Sequence, residues 1–192
     1  MSDDALLEAF ERYATAAGAQ VTTVPDASAA AAAIAGLADG SVTLTGAVLE
    51  RYPALGAALE QAGLRTVVAE QVEAEEGLTR QDVAVRLSGG TAVVLGRAGV
   101  AETGSVVLAD DAMAPRLAGM LADVCVALLP EGAIVRDLDA AGTLIADLDR
   151  AGHRYVSLVT GPSRTADIER VLTIGVQGPK ALHIIVLTGE AT

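Results

Sequence analysis

Short apolar runs alternate with helix-length segments along almost the whole chain, and that alternation leaves few architectures open. Residues 20–24, 42–45, 65–69, 124–129, 155–159 and 182–187 are aliphatic runs of strand length, bounded by Gly, Pro, Asp and Thr. Between them Leu6, Phe10, Tyr13 and Ala17 recur at three- and four-residue spacing. They predict a first helix on the outside of the domain, with Ser2 as its cap and Gly18 as its stop. Asp26 or Ser28 starts an alanine-rich helix that runs to near Asp39-Gly40; Pro53 opens and Gly63 closes another; residues 113–121 and 138–148 read as two more. Residues 83–87, 92–95 and 99–108, set apart by Ser88-Gly89-Gly90 and Gly96-Arg97, read as closely spaced strands or a hairpin. Strands alternating with helices of this length predict an α/β fold built on a mostly parallel sheet covered on both faces.

With 192 residues, no linker and no internal repeat, residues 1–192 are expected to form one domain, with residues 1–18 as its N-terminal helix. A chain of that size buries about 70% of the surface its unfolded form exposes. Aliphatic side chains must build the core, because the aromatics are only Phe10, Tyr13, Tyr52 and Tyr155. The formal charge is −12 and the basic residues are scattered singly, so nothing tracks a phosphate backbone and nucleic acid is not an expected partner. The longest uncharged apolar run, residues 27–38, falls short of the ~18 residues a membrane span needs. Asp3 and Asp4 stand where a signal peptide is basic, and the expectation is a cytoplasmic protein. Cys125 is the only cysteine, which rules out an intrachain disulfide and a cluster ligated by this chain's cysteines alone; in its apolar run it reads as a buried, inert thiol. The run Glu70, Glu73, Glu75 and Glu76 reads as a solvated face, with a partner contact as the alternative.

Most of the loop chemistry lies in residues 160–187. Thr160-Gly161-Pro162 ends one strand, since Pro162 lacks a donor and biases Gly161 away from helical angles. Ser163 or Thr165 is then placed to cap a short helix whose first turn holds Asp167 and Glu169, and Gly175, Gly178 and Pro179 make the return turn.

The run from Thr160 to Glu169, TGPSRTADIE, followed by GVQGP at 175–179 and a hydrophobic strand, resembles the signature of the LUD domain family in its lactate-utilisation protein C (LutC/YkgG) branch. Ala101-Glu102-Thr103-Gly104-Ser105 and the apolar run after it resemble a second family segment, and the resemblance lies mainly in residues 98–187. Gln177 stands where the family usually carries His, which puts any imidazole role there in doubt. The resemblance implies a three-layer fold like that of the ribose-5-phosphate isomerase, sugar-phosphate deaminase and CoA-transferase domains (the NagB/RpiA/CoA-transferase-like fold). It also implies a cluster-free subunit in the oxidation of L-lactate to pyruvate, with iron–sulfur proteins as partners.

In open α/β sheets ligands sit beyond the carboxyl ends of the strands. Thr45-Gly46, Thr103-Gly104, Thr160-Gly161 and Thr188-Gly189 each follow or interrupt an apolar run. If the strands are parallel neighbours, Thr45, Thr103, Gly104, Thr160 and Gly161 converge with Ser163 and Thr165 on a small anion; otherwise they are strand ends that need turns. Arg164 offers a bidentate fork for that anion, or a salt bridge to Asp167 or Glu169. Those two carboxylates are two apart, so one faces the site while the other caps or pairs. Glu102 is similar to the Glu-x-Gly nucleophile of CoA-transferases, and the other reading of it is structural. His153 and His183 lack the spacing of a zinc pair, and His183 reads as a strand histidine. With no G-x-G-x-x-G, Walker loop or nucleophile elbow, no cofactor and no metal are expected. Three readings remain: the partner-dependent lactate-utilisation subunit; a stand-alone enzyme acting on a phosphorylated or CoA-linked small molecule through Glu102 or the Ser163/Arg164 loop; and a pure scaffold, which would tolerate changes at Arg164 and Asp167.

Overall fold

The computed structural model describes residues 2–165, 173–174 and 178–189. In chain order the helices are α1 (Asp3–Ala16), α2 (Ala27–Ala35), α3 (Gly46–Arg51), α4 (Leu55–Gln61), α5 (Ala69–Glu73), α6 (Arg80–Arg86), α7 (Met113–Leu121) and α8 (Leu138–Arg150). The strands are β1 (Gln20–Val24), β2 (Ser41–Leu44), β3 (Arg65–Val68), β4 (Thr91–Leu95), β5 (Ala98–Val100), β6 (Ser105–Ala109), β7 (Val124–Pro130), β8 (Ile134–Val135), β9 (Val156–Val159), β10 (Arg164–Thr165), β11 (Thr173–Ile174) and β12 (Ala181–Leu187).

Six strands form a main sheet in the order β1-β12-β7-β4-β2-β3, with every pairing parallel. Its central strands are hydrophobic at successive positions because both faces are covered. Alternate side chains enter different cores: Val126 and Leu128 of β7 and Ile185 and Leu187 of β12 join α2, α3 and α4 on one face. Cys125, Ala127 and Leu129 of β7 and Leu182, Ile184 and Val186 of β12 join Phe10 and Ala14 of α1 on the other. A second sheet, β8-β5-β6-β9, lies over that second face and sends Val106 into the same core. Its own outer face is covered by α8 through Ala141. The architecture is α/β and three-layered around a parallel sheet.

Side-chain caps account for the starts of several helices. Ser2 caps α1, Asp26 caps α2 with Oδ1 2.8 Å from Ala29 N, and Asp137 caps α8 with Oδ1 2.9 Å from Ala140 N. Helix α1 is not merely an outer helix, because Phe10 is fully buried between the two sheets.

Several expectations are corrected. Residues 83–87 fall largely in α6 rather than a strand: Thr79 and Asp82 form a reciprocal capping box that starts a helix, which then buries Val83 and Leu87 at i, i+4 and leaves Val85 66% exposed. The run 155–159 is not a buried strand, since β9 is the edge of the small sheet with Tyr155 56% and Leu158 41% exposed. No helix starts at Ser163: its N–H donates to Pro179 O at 2.9 Å, and Arg164 and Thr165 pair antiparallel with Ile174 and Thr173. Thr165 as a cap, Asp167, Glu169 and Gln177 depend on residues outside those described. Helix α2 stops at Ala35, four residues early, and α3 was not anticipated.

Candidate functional site

The Thr-Gly turns do not converge on one point. Thr45 ends β2 and precedes α3; its side chain is fully buried, and its hydroxyl finds no hydrogen-bond partner among the described residues. The next N–H, on Gly46, donates to both Glu70 oxygens at 2.9 Å. The charge run is therefore not simply a solvated face: Glu73 Oε2 accepts from Ala114 N at 2.9 Å where α7 begins, and Glu75 pairs with Arg86.

Thr103 and Thr160 do meet, but through antiparallel neighbours in the small sheet. Ser105 Oγ lies 2.7 Å from Thr103 Oγ1 and 2.7 Å from Thr160 Oγ1, forming a chain of three hydroxyls across β6 and β9. The glycines beside them are required by α1. A Cβ on Gly104 (φ 66°) would lie 2.0 Å from Ala14 N, and one on Gly161 (φ 71°) would lie 2.2 Å from Ala17 O. The C-terminal end of α1 thus rests on both turns. Arg164 is exposed and lays its guanidinium over Gly18, where a Cβ would fall 1.8 Å from Nη2. Ser163 packs its Cβ on Gly178, fastening this loop to the 178–179 turn.

Glu102 lies elsewhere. Its Oε2 accepts from Leu138 N at 3.1 Å and so occupies the N-terminal end of α8 beside the Asp137 cap. His183 sits in β12 between β1 and β7, half-buried, with its pKa lowered by burial.

A cavity of about 250 Å³ opens between α7, the small sheet and the main sheet. Its floor is Cys125 and Leu182, which are paired neighbours near the amino ends of β7 and β12. The walls are Pro115, Arg116, Gly119 and Met120 of α7, Leu108 of β6 and the β9 residues, with Gly161, Gly178 and Pro179 along one side. It therefore lies over one face of the main sheet, not beyond the carboxyl ends where ligands were expected. Of the anticipated site residues among those described, Gly161 alone lines it.

The polar groups of the cavity are few and well held. Asp110 follows β6, and burial raises its carboxyl pKa; the Arg97 guanidinium opposes that, while Glu70 and Asp111 add to it. Burial, aided by Asp110, pushes the Cys125 thiol up to about 12, so it stays a neutral thiol. The Arg116 guanidinium stacks over the Tyr155 ring, 3.6 Å from its centroid, and Nη1 donates to Asp111 O at 3.2 Å. The Asp111 carboxylate receives the N–H groups of Arg154 at 2.6 Å and Tyr155 at 3.4 Å and lies 2.7 Å from His153 Nδ1, tying this rim to the small sheet. Chiefly the Arg154 N–H holds its pKa below the ordinary value. Asp110, Arg116 and Tyr155 escaped the sequence reading. The available signal was the Asp110-Asp111 pair at the end of an apolar run, a strand-end position of the same kind that singled out the threonines.

A parallel six-stranded sheet with helices on one face and a small mixed sheet on the other defines an open-sheet, three-layer α/β protein. A crystal structure of a DUF162 family protein from Deinococcus radiodurans shares the fold, with a TM-score of 0.68 over 98% of this chain and 99% of that one at 20% identity. The chain belongs to the LUD domain family, whose model matches residues 7–187. It is 40% identical over 91 residues to lactate utilization protein C 1 of Bacillus mycoides, covering 45% of this chain and 39% of that protein. It is 30% identical over 141 residues to lactate utilization protein C of Bacillus velezensis, covering 66% of this chain and 58% of the relative. The chain thus spans less than two thirds of the length of these curated relatives. Among the described residues no helix is long and apolar enough to cross a membrane.

Proposed function

We propose that this chain serves lactate utilisation as a cluster-free subunit that works with iron–sulfur proteins in oxidising L-lactate to pyruvate. The observation that carries the reading is the 40% identity over 91 residues to a relative named lactate utilization protein C 1. The chain's own chemistry supports a dependent role: removal of two electrons from lactate needs an acceptor, and the one cysteine is buried and protonated, so its thiols supply no cluster. Electrons then pass to the partners, and this chain contributes binding or assembly. The second reading, a stand-alone enzyme with Glu102 as nucleophile, gains nothing from a carboxylate already occupied by the Leu138 N–H.

The test has two arms. A bacterium carrying this gene is expected to lose growth on L-lactate when the gene is deleted and to regain it on complementation; unchanged growth would remove the lactate reading. The purified chain alone is expected to give no lactate-dependent dye reduction, and turnover by the lone chain would contradict the dependent role.

A further inference from the structure

The cavity beside α7 has a composition that lactate does not match. We infer that it is a binding site for an amphipathic monocarboxylate, with a ring or short acyl body inside and the carboxylate on the Arg116 guanidinium at the rim. This stands on the cavity alone and is independent of the lactate reading.

Size and lining argue for the body. At about 250 Å³ the space exceeds the roughly 150 Å³ of an apolar cavity that takes up benzene and falls just short of the roughly 300 Å³ at which ordinary ligand pockets begin. Leu108, Pro115, Val159 and Leu182 surround it, and Cys125 on the floor is a neutral thiol, so water entering it finds few partners. The single methyl group of lactate would leave most of that wall uncovered, whereas a bicyclic ring fills it.

Charge argues for the head group. Arg116 is fixed before any ligand arrives, by its stack on Tyr155 and its bond to Asp111 O, so little side-chain freedom remains to be lost on binding. One contact to Asp111 O leaves other N–H donors of the guanidinium for a carboxylate. The nearby Asp111 carboxylate is already satisfied by Arg154, Tyr155 and His153. Asp110 also lines the cavity, where burial disfavours its anion. A cationic ligand would instead meet the Arg116 guanidinium at the rim.

Calorimetric titration of the purified chain with 2-naphthoate, 2-naphthamide and L-lactate tests this. The acid is expected to bind at least about tenfold more tightly than the amide, the increment of one charge-assisted hydrogen bond. Arg116→Met should abolish that preference while changing amide binding less than about threefold, since its stem still packs. Ser157→Phe, on the exposed edge strand, should weaken acid and amide alike by filling the space. Equal affinity of acid and amide for the unsubstituted chain, lactate binding tighter than naphthoate, or no naphthoate binding at millimolar concentration would each overturn the inference, whether or not either variant folds. Unchanged acid affinity in folded Arg116→Met would overturn it as well.

Discussion

The two sheets of this molecule are built on opposite terms. In the main sheet, β4 is buried at every position and β7 at all but its ends, because helices close one face while α1 and the small sheet close the other. In the small sheet, β9 is an edge strand with two of its four residues exposed, and beside it lie the hydroxyl chain, the stacked Arg116 and the cavity. The difference shows where each region's polar groups go. At the carboxyl end of β2 the Gly46 N–H is taken up by Glu70 and the Thr45 hydroxyl is sealed in the core, whereas the rim of the small sheet keeps a preorganised cation beside open space. A closed sheet supplies stability, and the partly open one supplies a place for a ligand.

Substitutions separate the two regions by size of effect. Leu128→Ala, fully buried in β7, should destabilise by about 2–5 kcal/mol, while Leu158→Ala on β9 should cost under about 1 kcal/mol. Denaturant midpoints measure both, and equal costs would erase the contrast. Gly104→Ala and Gly40→Ala sharpen it, since both glycines have positive φ (66° and 69°) but only Gly104 has backbone where a Cβ would go. Gly40→Ala should cost about 1–2 kcal/mol from the left-handed conformation alone, and Gly104→Ala about 2 kcal/mol more as α1 is pushed off its turn. Glu70→Ala, which frees the Gly46 N–H, should cost about 1 kcal/mol by thermal melting.

The smallest effect is a pH dependence at the cavity. Asp110 has a folded pKa above the ordinary 3.8, so the folded state holds its proton more tightly than the unfolded chain does. The resulting contribution is full at pH below 3.8 and is lost as pH rises through the raised value. Asp110→Asn does not titrate, so its stability relative to the unsubstituted chain should improve as pH rises from about 4 toward 7. A difference between the two that stays constant over that range would mean Asp110 is not desolvated.

The main sheet was legible in the sequence because double-sided burial writes itself as unbroken apolar runs, as at 124–129 and 182–187. Two features misled. Val83-Ala84-Val85 alternates like a strand, and only the Thr79/Asp82 capping box reveals a helix. Tyr155 to Val159 is as apolar as a core strand, yet it covers a cavity wall and solvent. The site was less legible than the fold. The glycines of the Thr-Gly turns answer to α1, a contact between residues about ninety to one hundred and fifty positions apart that no local pattern encodes. Arg116 reads as one more surface cation on a helix until the fold brings Tyr155 beneath it.

Amide hydrogen exchange with and without 2-naphthoate tests most directly which region receives a ligand. Protection is expected in peptides covering residues 108–120 and 155–161, which line the cavity, with no change at 42–46 and 95–97 along the carboxyl ends of β2 and β4. Protection at Thr45, Gly46 and Arg97 with none along α7 would contradict the account and return the site to the main sheet.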